Sequence, residues 1–477
     1  MERRLLLNRY GGYARAIFDL VAPLAHEATA MCTTENAGHP PFRARSGTVT
    51  RLIGHHQPGD LRPGDIDSAN RRSTRRTPTM PGIRTSATAT RTTTTRTMSS
   101  ARGPSADHTH ADAGHAGLSF EDLVTAYFDC RRNKRNTESA LAFEQNLERN
   151  LVRLYEELQS CTYRPGRSIC FVITRPKPRE VWAADFRDRI VHHLLYNRIA
   201  PRFYASFIAD SCACIPGRGT LYAARRLEAK VRSITQNWSR PAWYLKCDLA
   251  NFFVSIDKNI LRDRLAKRVT EPWWRGLTDT IMFHDPREDA IIQSPPGRLA
   301  LIPPHKSLFN QPADKGLPIG NLSSQFFANV YLDVLDQHAK HQLRARHYIR
   351  YVDDFLLLHE SPQWLNDAHA DIEAFLPEML AVRLNPAKTI LQPVARGVDF
   401  VGQVVKPWRR TLRRRTFNVA RQRLRHLAPG VIFEPANSYF GLLRQATHSG
   451  SDRIRLARDL YQRGLAVNGK LTKVYRP

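Results

Sequence analysis

The chain has 477 residues, of which 42% are apolar, and a formal net charge of +28 from 72 Lys and Arg against 44 Asp and Glu. This length predicts two or three packed subdomains instead of a single core. The 7 cysteines include no C-x-x-C pair, which argues against a zinc ribbon or a disulfide framework and favours a reducing compartment.

The charge balance favours a polyanion as partner, because each phosphate that a cation neutralises releases counterions. The alternative is an Arg-rich solvated surface without such a partner. No apolar run reaches the roughly 18 residues of a membrane span. We therefore expect a cytoplasmic protein that binds nucleic acid and not a membrane.

The first 116 residues contain long segments that are poor in aromatic side chains and rich in Thr, Ser, Arg and Ala. Such segments bury too little apolar surface to offset the entropy of ordering. They predict a low-complexity, largely disordered basic extension over residues 1–116. The alternative is that translation begins downstream, at Met80 or Met98.

Regular periods begin near Leu118. Four leucines recur at three- and four-residue steps in TESALAFEQNLERNLVRLYEELQS, which predicts an amphipathic helix capped by Thr137 or Ser139. The segment SICFVI predicts a strand that ends at Pro-Lys-Pro, since proline cannot continue a ladder. The segment RDRIVHHLLYNRIAPRFYASF predicts a further helix.

The next segments lead to a hairpin. AWYLKCDLANFFVSI predicts a buried strand that runs into a turn, and the Pro-rich insertion from His284 to Lys315 predicts a loop or ribbon. A helix opened by Asn321 or Ser323 follows. YIRYV and FLLL are short β-rich segments and predict the two strands of a hairpin. After Lys406 we expect a basic, mostly helical region.

Three aspartates lie at the ends of these strands. Asp353 and Asp354 are expected at the hairpin tip, and Asp248 ends the earlier strand. Adjacent aspartates alone are compatible with a simple turn. The third carboxylate favours a magnesium site instead, because Mg²⁺ prefers oxygen ligands. Two ions about 3.5–4 Å apart would clamp the attacking and leaving oxygens of a phosphoryl transfer.

The same segments resemble, in order and spacing, the motifs of reverse transcriptases between Ser119 and Val405. YVDD is similar to their catalytic hairpin, CDLANFF to the first palm aspartate motif, and GLPIGNLSSQFFANVYL to the motif that follows it. RPKPREVWAADFRDRIVHH resembles the fingers motif. RLNPAKT and GVDFVGQVV resemble the last palm motif and the primer grip.

The resemblance implies an α/β (α+β) right-hand polymerase with fingers, a palm that contains an antiparallel sheet, and a helical thumb. It implies an RNA-directed DNA polymerase, which is a nucleotidyltransferase that extends a primer 3′-OH with dNTPs by a two-metal mechanism. The cofactors would be two Mg²⁺ ions, for which Mn²⁺ can substitute. The implied domains are residues 117–240 for the N-terminal helices and fingers, 241–405 for the palm and 406–477 for the thumb, with the reverse transcriptase domain at about 155–405.

The segment GLPIGNLSSQ looks most like the bacterial enzymes of diversity-generating retroelements. Where intron-encoded and retroviral enzymes usually carry Gln, this chain has Ile319, which offers shape but no hydrogen bond. The resemblance therefore implies error-prone copying opposite template adenine and a small basic accessory protein as partner. The alternative is that Ile319 only packs.

Three other functions compete with this one. Two are enzymes, namely a reverse transcriptase of phage defence and a group II intron-like enzyme. The third belongs to another class, a catalytically silent nucleic-acid-binding scaffold that retains the fold.

The resemblance also assigns individual residues. Catalysis falls to Asp248, Asp353 and Asp354, and metal binding to the same aspartates with the backbone carbonyl of Leu249. Phe253 matches the aromatic residue that excludes a ribose 2′-OH. The residues assigned to the nucleotide are Lys177, Arg179, Phe253, Ile319, Gly320, Gln325 and Lys388.

Two lysines in that set have defined roles. Lys177, with Arg179, matches the fingers cations that hold the triphosphate. Lys388 matches a palm lysine near the leaving pyrophosphate, where it would act as a general acid. The alternative for Lys388 is an ordinary solvated lysine in a loop.

An arginine-rich segment, KPWRRTLRRRTFNVARQRLRHL, follows the primer-grip motif. Its interleaved apolar residues, among them Trp408 and Val419, predict an inner face, so we expect its arginines to contact template RNA, primer and the RNA–DNA hybrid. The alternative is a solvated charge run. The arginines assigned to nucleic acid are Arg409, Arg410, Arg413, Arg414, Arg415 and Arg421.

Overall fold

The computed structural model describes residues 117–132, 137–174 and 177–475. The disordered extension predicted for residues 1–116 lies outside these ranges. None of the described helices combines the length and the apolar composition that crossing a membrane requires.

Helices and short strands alternate along the described chain. The helices are, in chain order, α1 (Phe120–Arg131), α2 (Glu138–Glu144), α3 (Leu147–Gln159), α4 (Phe186–Tyr204), α5 (Thr220–Ile234), α6 (Phe252–Ser255), α7 (Lys258–Ala266), α8 (Pro272–Phe283), α9 (Pro296–Leu299), α10 (Leu322–Gln337), α11 (Pro362–Leu380), α12 (Arg414–His426), α13 (Phe433–Gln445) and α14 (Gly450–Tyr461). The strands are β1 (Ile169–Ile173), β2 (Arg179–Ala183), β3 (Trp243–Asp248), β4 (Ile291–Ile292), β5 (His347–Tyr351), β6 (Asp354–His359), β7 (Ile390–Pro393), β8 (Val398–Phe400), β9 (Gln403–Lys406), β10 (Arg409–Leu412), β11 (Ala466–Val467) and β12 (Val474–Tyr475).

The amphipathic helix predicted after Thr137 is interrupted. Two helices, α2 and α3, meet at Gln145 and Asn146. The side-chain amide of Asn150 donates to the carbonyl of Phe143 at 2.9 Å, which satisfies an acceptor near the end of α2. Thr137 precedes α2, but its side chain makes no capping hydrogen bond. The four periodic leucines are nevertheless buried, as predicted, at Leu147, Leu151, Leu154 and Leu158.

The central sheet, called the palm sheet below, has the strand order β5-β6-β3-β7. All of its pairs are antiparallel, so the predicted α+β class with an antiparallel palm sheet is confirmed. β3 is a central strand, and its last residue, Asp248, pairs with the first residue of β6, Asp354.

Side chains alternate between the two faces of the palm sheet along each strand. Other elements cover both faces. One face, with Leu245 and Cys247, joins the main core that α10 and α11 also enter. The other face packs against α5 and the β8–β9 hairpin. Lys246 and Asp248 alternate with the residues of the main core, so they belong to this second face.

A second sheet has the order β2-β1-β4, with β1 antiparallel to β2 and parallel to β4. Strand β1 confirms the strand predicted from SICFVI, and α4 confirms the helix that follows it. β4 comes from the insertion between His284 and Lys315. That insertion also contributes α9 and two 3₁₀ turns, Pro304–Lys306 and Leu308–Asn310, and is otherwise irregular.

The region after Lys406 is less helical at its start than we predicted. β9 and β10 form an antiparallel hairpin, so Arg409 and Arg410 lie on a strand. Helices α12, α13 and α14 follow, and β11 pairs with β12. This region has its own apolar core, which includes Leu412, Phe417 and Leu424. Trp408 and Val419, predicted for the inner face, are exposed.

Candidate active site

The β5–β6 hairpin turns at Val352 and Asp353. Tyr351 pairs with Asp354 across the turn, so a two-residue loop joins the strands. Val352 has a φ of 56°, a left-handed conformation that a β-branched residue rarely adopts. Asp353 therefore lies at the tip, whereas Asp354, also predicted there, begins strand β6.

The register of β3 against β6 brings the three aspartates together. Asp248 and Asp354 are direct partners across the two strands. The backbone N–H of Leu249 donates to the carbonyl of Asp353 at 3.2 Å, which ties the hairpin turn to the end of β3. Asp248 is 9% exposed. Three carboxyl groups thus share one edge of the palm sheet, as the sequence predicted.

Two lysines balance this negative charge. Lys388 Nζ lies 2.5 Å from Asp248 Oδ1, and Lys246 Nζ lies 2.9 Å from Asp354 Oδ2. Burial raises the pKa of Asp354 to about 6 against the effect of Lys246. Burial and then the charge of Asp248 raise the pKa of Asp353, whereas Lys388 and Arg179 lower it. Burial therefore disfavours the charged forms of Asp353 and Asp354.

The chemistry of this donor set fits a divalent cation. Asp354 Oδ1 is buried and has no hydrogen-bond partner, and carboxylate oxygens are the ligands that Mg²⁺ prefers. Within residues 117–132, 137–174 and 177–475, however, no three His, Cys, Asp or Glu side chains converge as a metal-binding cluster. Lysine ammonium groups contact two of the three aspartates instead.

A buried arginine that the sequence analysis missed supports the hairpin turn. Arg350, 1% exposed, forms a two-pronged ion pair with Asp336 on α10 at 2.6 and 2.7 Å. It also donates to the carbonyl of Val352 at 3.1 Å. Arg350 thereby holds the left-handed residue next to Asp353. The available signal was a charged residue inside the apolar strand segment YIRYV.

Lys246 was missed as well. Besides Asp354, its ammonium group contacts the backbone carbonyl of Asp399 at 3.2 Å. Asp399 lies on β8, in the segment that resembles a primer grip. Lys246 therefore connects that segment to the catalytic hairpin. Lysine between apolar strand residues, two positions before Asp248, was the signal in the sequence.

The residues assigned to the nucleotide differ in burial and in backbone contacts. Phe253 on α6 is half-buried, while its neighbour Phe252 is buried in the core. Ile319 is half-buried, and its carbonyl accepts a hydrogen bond from the N–H of Trp182 at 2.7 Å. Gly320 has a φ of 139°, and a Cβ there would lie 2.3 Å from the carbonyl oxygen of Trp182. Only glycine fits that position.

Four further members of the set carry polar side chains. Gln325 is exposed on α10, and Lys177 and Arg179 are exposed at the start of β2. Arg179 is near enough to Asp353 that its charge lowers the pKa of that carboxyl group. Lys388, predicted near a leaving group or in solvent, contacts Asp248.

The arginines assigned to nucleic acid divide into three groups. Arg410 is 4% exposed, and its guanidinium group donates to Glu228 and Gln403, each at 2.7 Å. The prediction that Arg410 contacts nucleic acid is therefore wrong, because its hydrogen-bonding capacity is used inside the protein. Arg413 pairs with Asp399, and Arg421 pairs with the buried Asp459; the two arginines themselves are partly exposed. The exposed members are Arg409, Arg414 and Arg415.

Comparison with known proteins identifies the middle of the chain. Residues 175–405 match the family model described as "Reverse transcriptase (RNA-dependent DNA polymerase)". The matched segment includes the three aspartates, Phe253, Ile319 and Lys388. The match indicates that this segment is a reverse transcriptase domain with the right-hand polymerase fold.

More distant similarities were also found. A 103-residue segment is 28% identical to Nuclear intron maturase 1, mitochondrial, of Arabidopsis thaliana, covering 21% of this chain and 14% of that protein. A telomerase structure from Candida albicans, with a fragment of telomeric RNA, aligns with a TM-score of 0.40 and 12% identity over 62% of this chain and 54% of its own. Apo telomerase from Candida tropicalis aligns with a TM-score of 0.38 and 12% identity over 52% and 55%. The chain thus spans about half of each telomerase chain.

Proposed function

We propose that this chain, whose residues 175–405 are a reverse transcriptase domain, extends a primer 3′-OH with dNTPs on an RNA template. The observation that carries the proposal is the direct pairing of Asp248 with Asp354 beside Asp353 in the hairpin turn. We assign the N-terminal helices and fingers to residues 117–240, the palm to 241–405 and the thumb to 406–477.

The family generally uses divalent metal ions, and we assign their binding to Asp248, Asp353, Asp354 and the Leu249 carbonyl, with two Mg²⁺ as the preferred ions and Mn²⁺ as a substitute. When bound, such ions supply positive charge for the attacking and leaving oxygens. Asp354 acts through its charge and through its ion pair with Lys246. The contribution of the protein is alignment and electrostatic stabilisation.

The remaining residues bind the nucleotide. Lys177 and Arg179, both exposed, hold the triphosphate. Phe253 excludes a ribose 2′-OH. The ammonium group of Lys388 contacts Asp248, and we assign to it the role of neutralising or protonating the leaving pyrophosphate.

We further propose that the enzyme copies its template mutagenically, as the enzymes of diversity-generating retroelements do. Ile319 supports this proposal, because an apolar side chain at that position offers no hydrogen bond to the incoming base. Exposed thumb arginines would bind the backbone of the RNA–DNA hybrid without reading its sequence. A small basic accessory protein is the expected partner.

An intron-like enzyme is the second candidate, and the similarity to an intron maturase over 103 residues favours it. Such an enzyme would copy its template accurately. The two candidates share the catalytic site and differ in the error pattern of the product.

The test is dNTP incorporation on a primed RNA template with Mg²⁺, followed by sequencing of the product. We expect the native chain to incorporate dNTPs and Asp353→Asn to lose at least about 10³-fold in rate, since a charged group of the site is removed. Errors concentrated opposite template adenine would support the mutagenic enzyme. Accurate product would favour the intron-like enzyme.

Equal incorporation by both proteins would contradict the assignment of Asp353. If neither protein incorporates dNTPs, the assay is repeated with the native flanking RNA as template. Continued inactivity in that assay would leave a silent nucleic-acid-binding scaffold.

A further inference from the structure

We propose that the insertion between His284 and Lys315 positions the nucleotide-selecting residues, and that Leu308 and Phe309 are the side chains through which it acts. The inference rests on the proposed polymerase function. It concerns two short segments, defined here as the selection strip, residues 316–320, and the brace turn, Leu308–Asn310.

The selection strip is held between α6 and the fingers strand β2. On one side, the N–H of Leu317 donates to the carbonyl of Phe253, and the N–H of Gly316 to that of Ile256, both at 2.8 Å. On the other side, the N–H of Trp182 donates to the carbonyl of Ile319 at 2.7 Å. Phe253 and Ile319 are thus linked through one backbone segment.

The brace turn contacts both supports of the strip. Leu308 shares a small buried cluster with Trp182 from β2, Cys170 from β1 and Val254 from α6. It also faces the strip itself, because a Cβ at Gly316 would lie 2.6 Å from Leu308 Cδ1. Leu308 therefore fills the space between β2, α6 and the strip.

A buried carboxylate fixes the turn to β2. Glu180 is 6% exposed, and its Oε2 accepts from the N–H of Leu308 at 2.9 Å and from the indole N–H of Trp182 at 3.3 Å. Charge-assisted hydrogen bonds of this kind are stronger than neutral ones. Glu180 thus fixes the brace turn and the Trp182 ring to each other.

Phe309 completes the arrangement from the solvent side. Its ring centroid lies 4.8 Å from that of Trp182 at an interplanar angle of 52°. Trp182 is 2% exposed whereas Phe309 is 39% exposed, so Phe309 covers Trp182 without being part of a deep core. Truncating Phe309 should loosen Trp182 and the strip while leaving the fold intact.

This arrangement predicts how selection of the nucleotide should respond to a looser strip. Because Phe253 and Ile319 are joined through the strip, a looser strip should weaken selection of the sugar and of the base together. Side chains that act by positioning must hold their targets within fractions of an ångström to be effective. Leu308, Phe309 and Glu180 are therefore positioning residues and not catalytic ones.

The experiment compares Phe309→Ala with two matched variants. Phe309→Tyr keeps the aromatic ring and should behave as the native chain does. Leu301→Ala truncates a residue of the same insertion that is 51% exposed and lies outside the Leu308 cluster. For Phe309→Ala we expect the KM for dNTP to rise about tenfold with kcat changed less than about twofold, which is the pattern of weaker binding in both ground and transition states.

The same variants are compared for misincorporation and for rNTP incorporation. Phe309→Ala should raise both, each several-fold, whereas Phe309→Tyr and Leu301→Ala should raise neither. A change in only one kind of selection, or an equal change in Leu301→Ala, would overturn the inference.

A second readout does not depend on polymerase activity. Hydrogen exchange at the amides of Trp182 and Leu317 should be about tenfold faster in Phe309→Ala than in the native chain and unchanged in Leu301→Ala, because local opening exposes those hydrogen bonds. Unchanged exchange would refute the positioning role even in an active enzyme. An inactive native chain with faster exchange in Phe309→Ala would refute the proposed function and leave the positioning role standing.

Discussion

The palm sheet and the C-terminal region after Lys406 differ in the sign of their concentrated charge and in its burial. In the palm sheet, three aspartates lie where β3 ends and β6 begins. Two of them each contact a different lysine. In the C-terminal region, arginines are in excess, and acids from other elements hold some of them, as Asp459 holds Arg421. One region concentrates negative charge in a partly buried site, whereas the other displays positive charge on its surface.

The difference shows how burial decides what a charge does. Burial raises the pKa of Asp353 and Asp354. Their ionised forms are therefore disfavoured, and a bound cation would favour them. The exposed arginines of the C-terminal region keep their charge in water, where an ion pair is worth about 0–1 kcal/mol. We therefore propose that the palm carboxylates act in catalysis and that the exposed C-terminal arginines attract nucleic acid.

The largest expected effect is on the buried pair of Arg350 and Asp336. Arg350→Met should lower the free energy of unfolding by about 3–5 kcal/mol, because it leaves a fully buried carboxylate without its partner. Urea unfolding measures the change. The matched substitution in the other region, Arg421→Met, should lower it by less than about 1 kcal/mol.

A loss of stability for Arg421→Met as large as that for Arg350→Met would remove the distinction between the two regions. Arg350→Lys provides a second variant that retains charge. This variant should keep part of the stability but lower the rate of dNTP incorporation. A lysine lacks the planar guanidinium group that lets Arg350 bind Asp336 and the Val352 carbonyl at the same time. Unchanged rate in that variant would argue against a role in holding the turn.

The next effect concerns pH. Burial raises the pKa of Asp354 from 3.8 to about 6 in the folded chain, so the ionised group opposes folding. Its cost is absent below about pH 4, grows as the pH rises to about 6 and is then constant, at most about 3 kcal/mol. In metal-free buffer, Asp354→Asn should therefore be more stable than the native chain at pH 7 and equally stable at pH 4.

Adding Mg²⁺ sharpens this prediction. A bound cation neutralises the carboxylate, so Mg²⁺ at pH 7 should stabilise the native chain more than Asp354→Asn. Thermal unfolding with and without the ion measures both. An equal response of the two proteins would mean that Asp354 neither resists ionisation nor contributes to cation binding.

The positions of the aspartates at the ends of strands were predictable because they depend on local patterns. Strand periodicity located Asp248, and the flanking apolar segments located Asp353 and Asp354 at a hairpin. The register that pairs Asp248 with Asp354 was not predictable, since it depends on pairing along the whole length of β3 and β6. The exact turn residues, Val352 and Asp353, also followed only from the structure.

The fate of individual arginines was not predictable, because their partners are far away in the chain. Arg410 and its partner Glu228 are 182 residues apart. Glu180 and Leu308, whose hydrogen bond fixes the brace turn to β2, are 128 residues apart. A run of arginines therefore indicates an excess of charge, but the fold decides which of them are exposed.

Arg410 differs from the exposed arginines of the C-terminal region because it is buried. It therefore tests whether burial separates structural arginines from binding ones. Arg410→Met should lower the free energy of unfolding by about 2 kcal/mol, because its buried hydrogen bonds to Glu228 and Gln403 are removed. Its affinity for an RNA–DNA hybrid should depend on salt as that of the native chain does. A smaller salt dependence would return Arg410 to the nucleic-acid surface.

The smallest expected effect belongs to the exposed arginines Arg414 and Arg415. Arg415→Gln should leave stability unchanged and weaken hybrid binding by about 1 kcal/mol, uniformly across sequences. The slope of log affinity against log salt concentration should fall by about 0.9 for each phosphate that the variant no longer neutralises. Fluorescence anisotropy over a range of salt concentrations measures that slope, with Arg410→Met as the control of equal charge change. If both variants changed the slope equally, burial would not separate structural from binding arginines. If only Arg415→Gln does, the same residue type serves two purposes within six positions of the chain, because only one of the two side chains reaches solvent.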